Sequence, residues 1–271
     1  MVQELFGLKG RRVLVVGGGQ GMGEATALLL ASLGADLAIL DFELDRAERV
    51  CAEVRKQGIS AYALSADVTD EAQVVEAVAE VEREFGPIYG LVNIVGMAGW
   101  APLIEMTSET WDRDHSRNLR YVFLMAREVA KGMLARGSGR IVCLSSIDGI
   151  RSASHHGAYG AAKAGLVHLV KTMAAEWSQH GVRVNCVAPG AIVTPRIPLR
   201  SVEEERELIA PYVPMSRRGS VADIGKAVTF FLSDMSDYVT GQTLAVDGGF
   251  LATGGFGPPP VLEGQGTLGL K

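Results

Sequence analysis

From residue 12 to about residue 247, short runs of β-branched and other apolar residues alternate with longer stretches of helical period. Few folds accommodate that order. Strands are predicted at 12–17, 36–41, 61–65, 90–95, 139–145, 182–187 and 243–246, and helices near 21–33, 45–57, 70–84, 108–136, 158–179 and 222–232. Several strands are apolar on successive residues, as in Val13 to Val16 and Ile141 to Leu144. A strand covered by helices on both faces needs that pattern. The alternation therefore predicts an α/β fold, a doubly wound parallel sheet of about seven strands flanked by helices. No shift in composition interrupts it, so residues 1–250 read as one domain.

Two segments depart from the rhythm. Residues 195–220 carry Pro195, Pro198, Pro211 and Pro214 around an acidic helical patch. They read as a lid inserted over the carboxyl edge of the sheet, where such folds bind ligands. Residues 251–271 are rich in Gly and Pro without periodicity and read as a C-terminal arm.

The bulk numbers exclude several classes. With 48% hydrophobic residues in 271, a large core can be buried. A net charge of −5, with Lys and Arg dispersed, speaks against a nucleic-acid or membrane surface. Cys51, Cys143 and Cys186 lie far apart in apolar stretches, as buried reduced thiols do, rather than as a disulfide or zinc site. The start, MVQELFGLKG, lacks a secretory layout, and no apolar run reaches membrane-spanning length. A cytoplasmic location is expected.

After the first strand comes Gly17-Gly18-Gly19-Gln20-Gly21-Met22-Gly23, then a helix. The spacing is G-x-x-x-G-x-G on Gly17, Gly21 and Gly23, suited to a tight turn, close approach of backbone to a pyrophosphate, and helix–strand packing. Gln20 and Met22 lie inside that turn, and the helix start offers free N–H groups and a positive dipole end to phosphates. Asp41 ends the second strand 18 residues beyond Gly23. A carboxylate there accepts both ribose hydroxyls and repels a 2′-phosphate, and Gln20 supplies no compensating charge. NAD is thus expected over NADP.

Tyr159 and Lys163, four residues apart at a helix start, project from one face. A phenol titrates near pH 10 and is a poor base at neutrality. An ammonium about 4 Å away, at an effective dielectric near 20, is worth roughly 4 kcal/mol to the phenolate, or about three pKa units. Ser146 follows an apolar strand in IVCLSSIDG, 13 residues before Tyr159. With these motifs in this order, the chain resembles the short-chain dehydrogenase/reductase family from about residue 8 to residue 250.

The resemblance implies a single Rossmann-like domain and a set of roles. Tyr159 would be the general acid/base, Ser146 would hold the substrate oxygen, and Lys163 would hold the nicotinamide ribose and lower the tyrosine pKa. Asn118, in SRNLRYVFLMAR, resembles the asparagine that anchors a proton-relay water. Asp67-Val68 resembles the adenine-contacting pair and Asn93 the structural asparagine at the end of the fourth strand. Pro189, Ile192 and Thr194 resemble the segment gripping the carboxamide, and Asp247-Gly248-Gly249 a structural closing turn. Two positions depart from the family's pattern. Val16 replaces a threonine, and Asn93-Ile94-Val95-Gly96 replaces N-N-A-G, so Val16 is expected to pack on Ile94 or Val95.

Other polar residues carry less. His115, His155 and His156 lack metal-ligand spacing, no metal is expected, and His155 and His156 read as loop residues that line the pocket or face solvent. Glu203-Glu204-Glu205 reads as the wet face of a lid helix, and Met97, Trp100 and Tyr212 as pocket or core residues. The expected function is hydride transfer between NAD(H) and a secondary alcohol or ketone. The alternatives are a 3-oxoacyl-thioester reductase of the same family or a non-catalytic NAD-binding regulator. The thioester would call for a basic entrance, and Arg196, Arg200, Arg217 and Arg218 are diluted by Glu203 to Glu207. The resemblance also suggests a homotetramer through the helices near 108–136 and 158–179, where Leu119, Phe123 and Ala130 oppose the apolar face of Val122, Met125 and Val129.

Overall fold

The computed structural model describes residues 5–253. Seven strands form one sheet, all pairs parallel, in the order β3-β2-β1-β4-β5-β6-β7. They are β1 (Arg12–Val16), β2 (Asp36–Asp41), β3 (Ala61–Ser65), β4 (Gly90–Asn93), β5 (Gly139–Leu144), β6 (Val182–Pro189) and β7 (Thr243–Val246). The main helices are α1 (Gly21–Ser32), α2 (Leu44–Lys56), α3 (Glu71–Glu84), α4 (Ser108–His115), α5 (Tyr121–Arg136), α6 (Gly157–Trp177), α7 (Val202–Ile209) and α8 (Val221–Leu232). Every predicted strand is present, with ends shifted by up to two residues.

Apolar runs form these strands because both faces are covered. Along β1, Val13 and Val15 join the helices α1, α2 and α8 in one buried cluster, while Leu14 and Val16 join α3, α5 and α6 in another. Burying one fully apolar side chain is worth about 1.5–3 kcal/mol, so a strand with four such residues is fixed in register from both sides. The chain runs outward from β1 through β2 to β3, then returns to place β4 on the other side of β1. That reversal opens a crevice at the carboxyl ends of β1 and β4, the position where doubly wound sheets take their ligands.

The stretch read as one helix over 108–136 is two helices joined by a π-helical turn, Ser116–Arg120. The periodicity is nearly continuous, so the insertion leaves little trace in the residue pattern. Within it Asn118 is fully buried and donates from Nδ2 to the Asp114 carbonyl at 2.9 Å and to the Met97 carbonyl at 2.8 Å. Its Oδ1 accepts the Met97 N–H at 3.2 Å. A side-chain amide thus partners a carbonyl where the π turn loosens the helix ladder.

Of the face expected to be covered by a neighbour, Ala130 is already buried within the chain, Leu119 is partly buried and Phe123 is exposed. The three cysteines are free and buried, as expected. Residues 195–220 carry α7, and its acidic run is not uniformly exposed as expected. Glu203 and Glu204 are exposed, but Glu205 turns inward onto Arg218 at 2.9 Å, with side-chain exposures of 14% and 8%. A run of three glutamates looks uniformly wet only until one of them finds a shielded cation. Of the 251–271 arm, residues up to Thr253 belong to a short 3-10 turn and the remainder lies outside the described residues.

Candidate active site

The glycine turn stands at the crevice. Gly17 has φ +80° and donates to the Leu40 carbonyl at 2.8 Å, a left-handed conformation that favours glycine. At Gly23, a Cβ would overlap the Gly17 carbonyl oxygen and come within 2.9 Å of the Gly18 Cα. Gln20 is the N-cap of α1 and makes no side-chain cap, so the first N–H groups of that helix are left to other partners. Gly21 and Met22 follow as its first residues.

Asp41 lies at the end of β2 and is 8% exposed. Its Oδ2 accepts the Gly19 N–H at 2.9 Å and its Oδ1 the Glu43 N–H at 3.2 Å. The carboxylate therefore joins the turn to the second strand. It does not cap α2, whose N-cap is Glu43 without a side-chain cap. Two cations near this end were missed in the sequence because they lie on the next helix. Arg46 pairs with Glu43 at 2.7 Å, and Arg49 pairs with Glu24 at 2.6 Å while donating to the Gly19 carbonyl at 2.8 Å.

The remaining cofactor candidates fall at carboxyl ends of strands or just beyond. Asp67 accepts the Thr69 N–H at 2.9 Å and its hydroxyl at 2.7 Å, and Val68 is packed into the core. Asn93 is fully buried and donates to the Cys143 thiol, and its Oδ1 has no partner. Val16 is the cross-strand neighbour of Asn93. Valine, unlike threonine, offers no hydroxyl at this position. Val95 shares Val16's side of the sheet and would meet a Cβ on Gly17 at 2.9 Å, whereas Ile94 packs on the opposite side. Pro189 ends β6, Ile192 is buried and pairs with Gly219, and Thr194 takes part in a tight turn with Ile197. Asp247 accepts the Gly249 and Leu251 N–H groups at 2.9 and 2.8 Å, closing the turn after β7.

Ser146, Tyr159 and Lys163 converge across the crevice. Ser146 directly follows the β5 turn and is 9% exposed, with its Oγ accepting the Asp148 N–H at 3.1 Å. Its side chain also lies near enough to the Tyr159 hydroxyl to favour the phenolate. Lys163, 2% exposed, lies with Nζ 5.6 Å from the Tyr159 ring centre and donates to the Leu144 carbonyl at 2.8 Å. Gly96 permits this arrangement, since a Cβ there would come within 3.0 Å of Asn118 Oδ1 and 3.1 Å of Lys163 Nζ. Ser145 Oγ donates to the Lys163 carbonyl at 2.9 Å and pins the helix to the strand.

The electrostatics differ from the sequence-based expectation of a phenol drawn down by its lysine. Burial pushes Tyr159 up to about 12, the nearby Asp148 and Asp114 carboxylates push the same way, and only the Ser146 side chain pulls down. Burial likewise lowers Lys163 to about 8. The reason is geometric. The phenol hydroxyl is crowded by protein although the residue as a whole is partly accessible, and the ammonium is committed to a backbone carbonyl. Desolvation then favours the neutral form of each.

The loop between Ser146 and Tyr159 holds a group passed over in the sequence. His156 Nδ1 lies 2.6 Å from Asp148 Oδ2. Its ring meets Tyr159 at 5.6 Å between centres and Trp100 edge-on at 4.5 Å, and Trp100 stacks on His155. Trp100, Met97 and Tyr212 are all exposed at the rim, so none is a core residue. A separate apolar cleft of about 470 Å³ borders Gly21, Leu28, Thr194 and Pro198, and Ser146, Tyr159 and Lys163 do not line it.

Residues 17–251 match a family model described as enoyl-(acyl carrier protein) reductase. The chain belongs to the short-chain dehydrogenase/reductase family. It is 37% identical to 2-(S)-hydroxypropyl-CoM dehydrogenase 3 of Xanthobacter autotrophicus, over 90% of this chain and 98% of that protein. It is 38% identical to levodione reductase of Leifsonia aquatica, over 88% and 93%. The crystal structure of levodione reductase superposes with a TM-score of 0.85 at 36% identity, covering 90% of this chain and 99% of that one. The protein is thus a hydride-transfer oxidoreductase of this family, working with a nicotinamide cofactor. Among the described residues no helix is long and apolar enough to cross a membrane.

Proposed function

We propose that this short-chain dehydrogenase/reductase interconverts a secondary alcohol and its ketone with NAD(H), in the cytoplasm, using Tyr159 as general acid/base. The observation that carries the reading is the convergence of the Tyr159 hydroxyl, the Ser146 side chain and the buried Lys163 beside the crevice. The residues fit a dinucleotide. The cradle at Gly17 and Gly23 admits no Cβ, the start of α1 is uncapped, and Asp41 stands at the ribose end. Gly17, Gln20, Gly21, Met22 and Gly23 would hold the phosphates, Asp67 and Val68 the adenine side, Asn93, Pro189, Ile192 and Thr194 the nicotinamide side, and Tyr159 and Lys163 the adjoining ribose. When bound, the nicotinamide supplies or takes up the hydride at the substrate carbon.

The chain's own work is on the oxygen. Ser146 Oγ and the Tyr159 hydroxyl present two donors to it. Tyr159 at about 12 holds its proton at neutral pH and can deliver it to the oxygen of a ketone being reduced. In the reverse direction Tyr159 must accept a proton, so oxidation of the alcohol gains from a rising pH and reduction loses. Asn118, clasped to Met97 and Asp114, fixes the wall behind Lys163 where a proton would leave.

NAD is favoured because a shielded carboxylate, Asp41, stands where a 2′-phosphate would have to sit, and both nearby guanidinium groups are engaged by glutamates. A small apolar or cyclic alcohol is favoured over a 3-oxoacyl thioester, the alternative raised from the sequence. Among the lid arginines, Arg217 and Arg218 are bound to Asp223 and Glu205, which reduces the basic surface open to an acidic carrier. An absorbance assay with NADH and NADPH against cyclic ketones and acyl thioesters tests both points. NADH should be preferred by at least tenfold, with Asp41→Asn reducing the preference, and a preference for NADPH overturns the argument. The homotetramer is proposed with Phe123 and Leu119 in its buried face, and a monomer mass by light scattering overturns it.

A further inference from the structure

We propose that Asp148, steadied by His156, is a positioning pair that sets the pH range over which Tyr159 exchanges its proton. The inference deepens the function proposed above and rests on it. His156 Nδ1 and Asp148 Oδ2 are 2.6 Å apart, with side-chain exposures of 20% and 17%. A carboxylate only accepts, so the imidazole carries its proton on Nδ1 and donates to Asp148. The ring is held on two further sides, edge-on to Trp100 at 4.5 Å and angled against Tyr159 at 5.6 Å between centres. The pair is therefore built into the wall beside the phenol. A short turn places its carboxylate there, because Ser146 Oγ accepts the Asp148 N–H and the 3-10 turn Ile147–Gly149 follows. Gly149 packs so tightly on the Lys163 backbone that a Cβ would lie 2.7 Å from its carbonyl. The turn that carries Asp148 is thereby seated on the helix that carries Tyr159.

The charged and titratable groups around Tyr159 come from each packed element. Lys163 lies on its own helix, Asp148 with His155 and His156 on the preceding loop, Tyr121 on α5, and Asp114 on α4, where it accepts the Gly99 N–H at 2.7 Å. The two carboxylates oppose a phenolate, and burial acts in the same sense. Asp114 is 3% exposed and committed to backbone. Asp148 differs in having a partner that shares its charge. A donated N–H offsets part of the carboxylate's field, and an imidazolium would neutralise it. His156 thus softens what Asp148 does to Tyr159 through its contact with the carboxylate.

The test compares Asp148→Asn, His156→Ala and the double variant in the full-length protein. The first readout is the pH dependence of kcat/KM. The second is the ¹⁹F titration of protein carrying 3-fluorotyrosine, in which the Tyr159 resonance is identified by its loss in Tyr159→Phe. Removing one nearby unit charge moves a titration by about one pH unit. Asp148→Asn should therefore shift Tyr159 down by about that much, and His156→Ala should shift it up by less. The double variant should behave as Asp148→Asn alone. Lower kcat with an unmoved titration in Asp148→Asn, or a His156→Ala shift that persists without Asp148, overturns the proposal. The ¹⁹F readout needs no turnover. Shifts as expected with no substrate turned over would sink the enzymatic reading and leave the pair standing. Turnover lost in Tyr159→Phe with unmoved titrations would do the reverse.

Discussion

Tyr159→Phe is expected to lower kcat about 10³-fold in either direction while leaving NADH affinity within a factor of a few. The substitution removes one oxygen. The ring keeps its angled contact with His156 and its place over Lys163 Nζ, so packing should hold. What is lost is the group proposed to pass a proton to the substrate oxygen, and a positioned acid/base contributes about 10²–10⁴ in rate. Steady-state nicotinamide absorbance measures kcat, and quenching of protein fluorescence by NADH measures binding. A loss of less than tenfold would mean that another group moves the proton and that the roles proposed for Ser146 and Lys163 need reassignment.

The second large effect concerns the glycine turn. Gly23→Ala should weaken NADH binding by at least 100-fold. A Cβ at this position would overlap the Gly17 carbonyl oxygen and press on the Gly17 carbonyl carbon and the Gly18 Cα at 2.8 and 2.9 Å. These are backbone atoms held by the Gly17 and Gly18 N–H bonds to the Leu40 carbonyl, so they cannot rotate away as a side chain would. The turn must open, and the N–H groups proposed to bind the phosphates move with it. Overpacking of this kind costs about 1–3 kcal/mol, so thermal unfolding should also come several degrees earlier. NADH titration separates the two consequences. Wild-type affinity in a destabilised variant would show that the dinucleotide does not lie on this turn.

The features read most directly from the residues are those written in local chemistry. Val13 to Val16 announce a doubly covered strand because each methyl has a neighbour on its own side. Gly17 and Gly23 mark a turn because only glycine meets its two requirements, a positive φ and a vanishing distance. Tyr159 and Lys163 are found at helical spacing, and Ser146 at a strand end. What stayed hidden depends on three-dimensional surroundings. Nothing in the spacing of Asp148 and His156 distinguishes a pocket-wall pair from two loop residues in water. Burial of the Tyr159 hydroxyl, which raises its pKa, depends on surroundings that residue spacing does not reveal. Glu205 differs from Glu203 and Glu204 only in facing Arg218. The unpartnered Asn93 oxygen shows the opposite case. Val16 in place of a threonine is visible in the sequence, whereas the unsatisfied acceptor on its cross-strand neighbour emerges only from the structure.

The π turn at Ser116–Arg120 gives the long helical stretch two independent phases. One surplus residue rotates everything before it by roughly a quarter of a circle or more relative to everything after. Asp114 therefore faces Gly99 while Val122, Met125 and Val129 face the sheet, an outcome no uninterrupted helix of this sequence would produce. Length, as well as residue identity, is thus under constraint at this point. Deleting one residue would leave every side chain unchanged and still swing Asp114 off its partner, so relatives that differ by a single gap here need not share the same wall around the phenol.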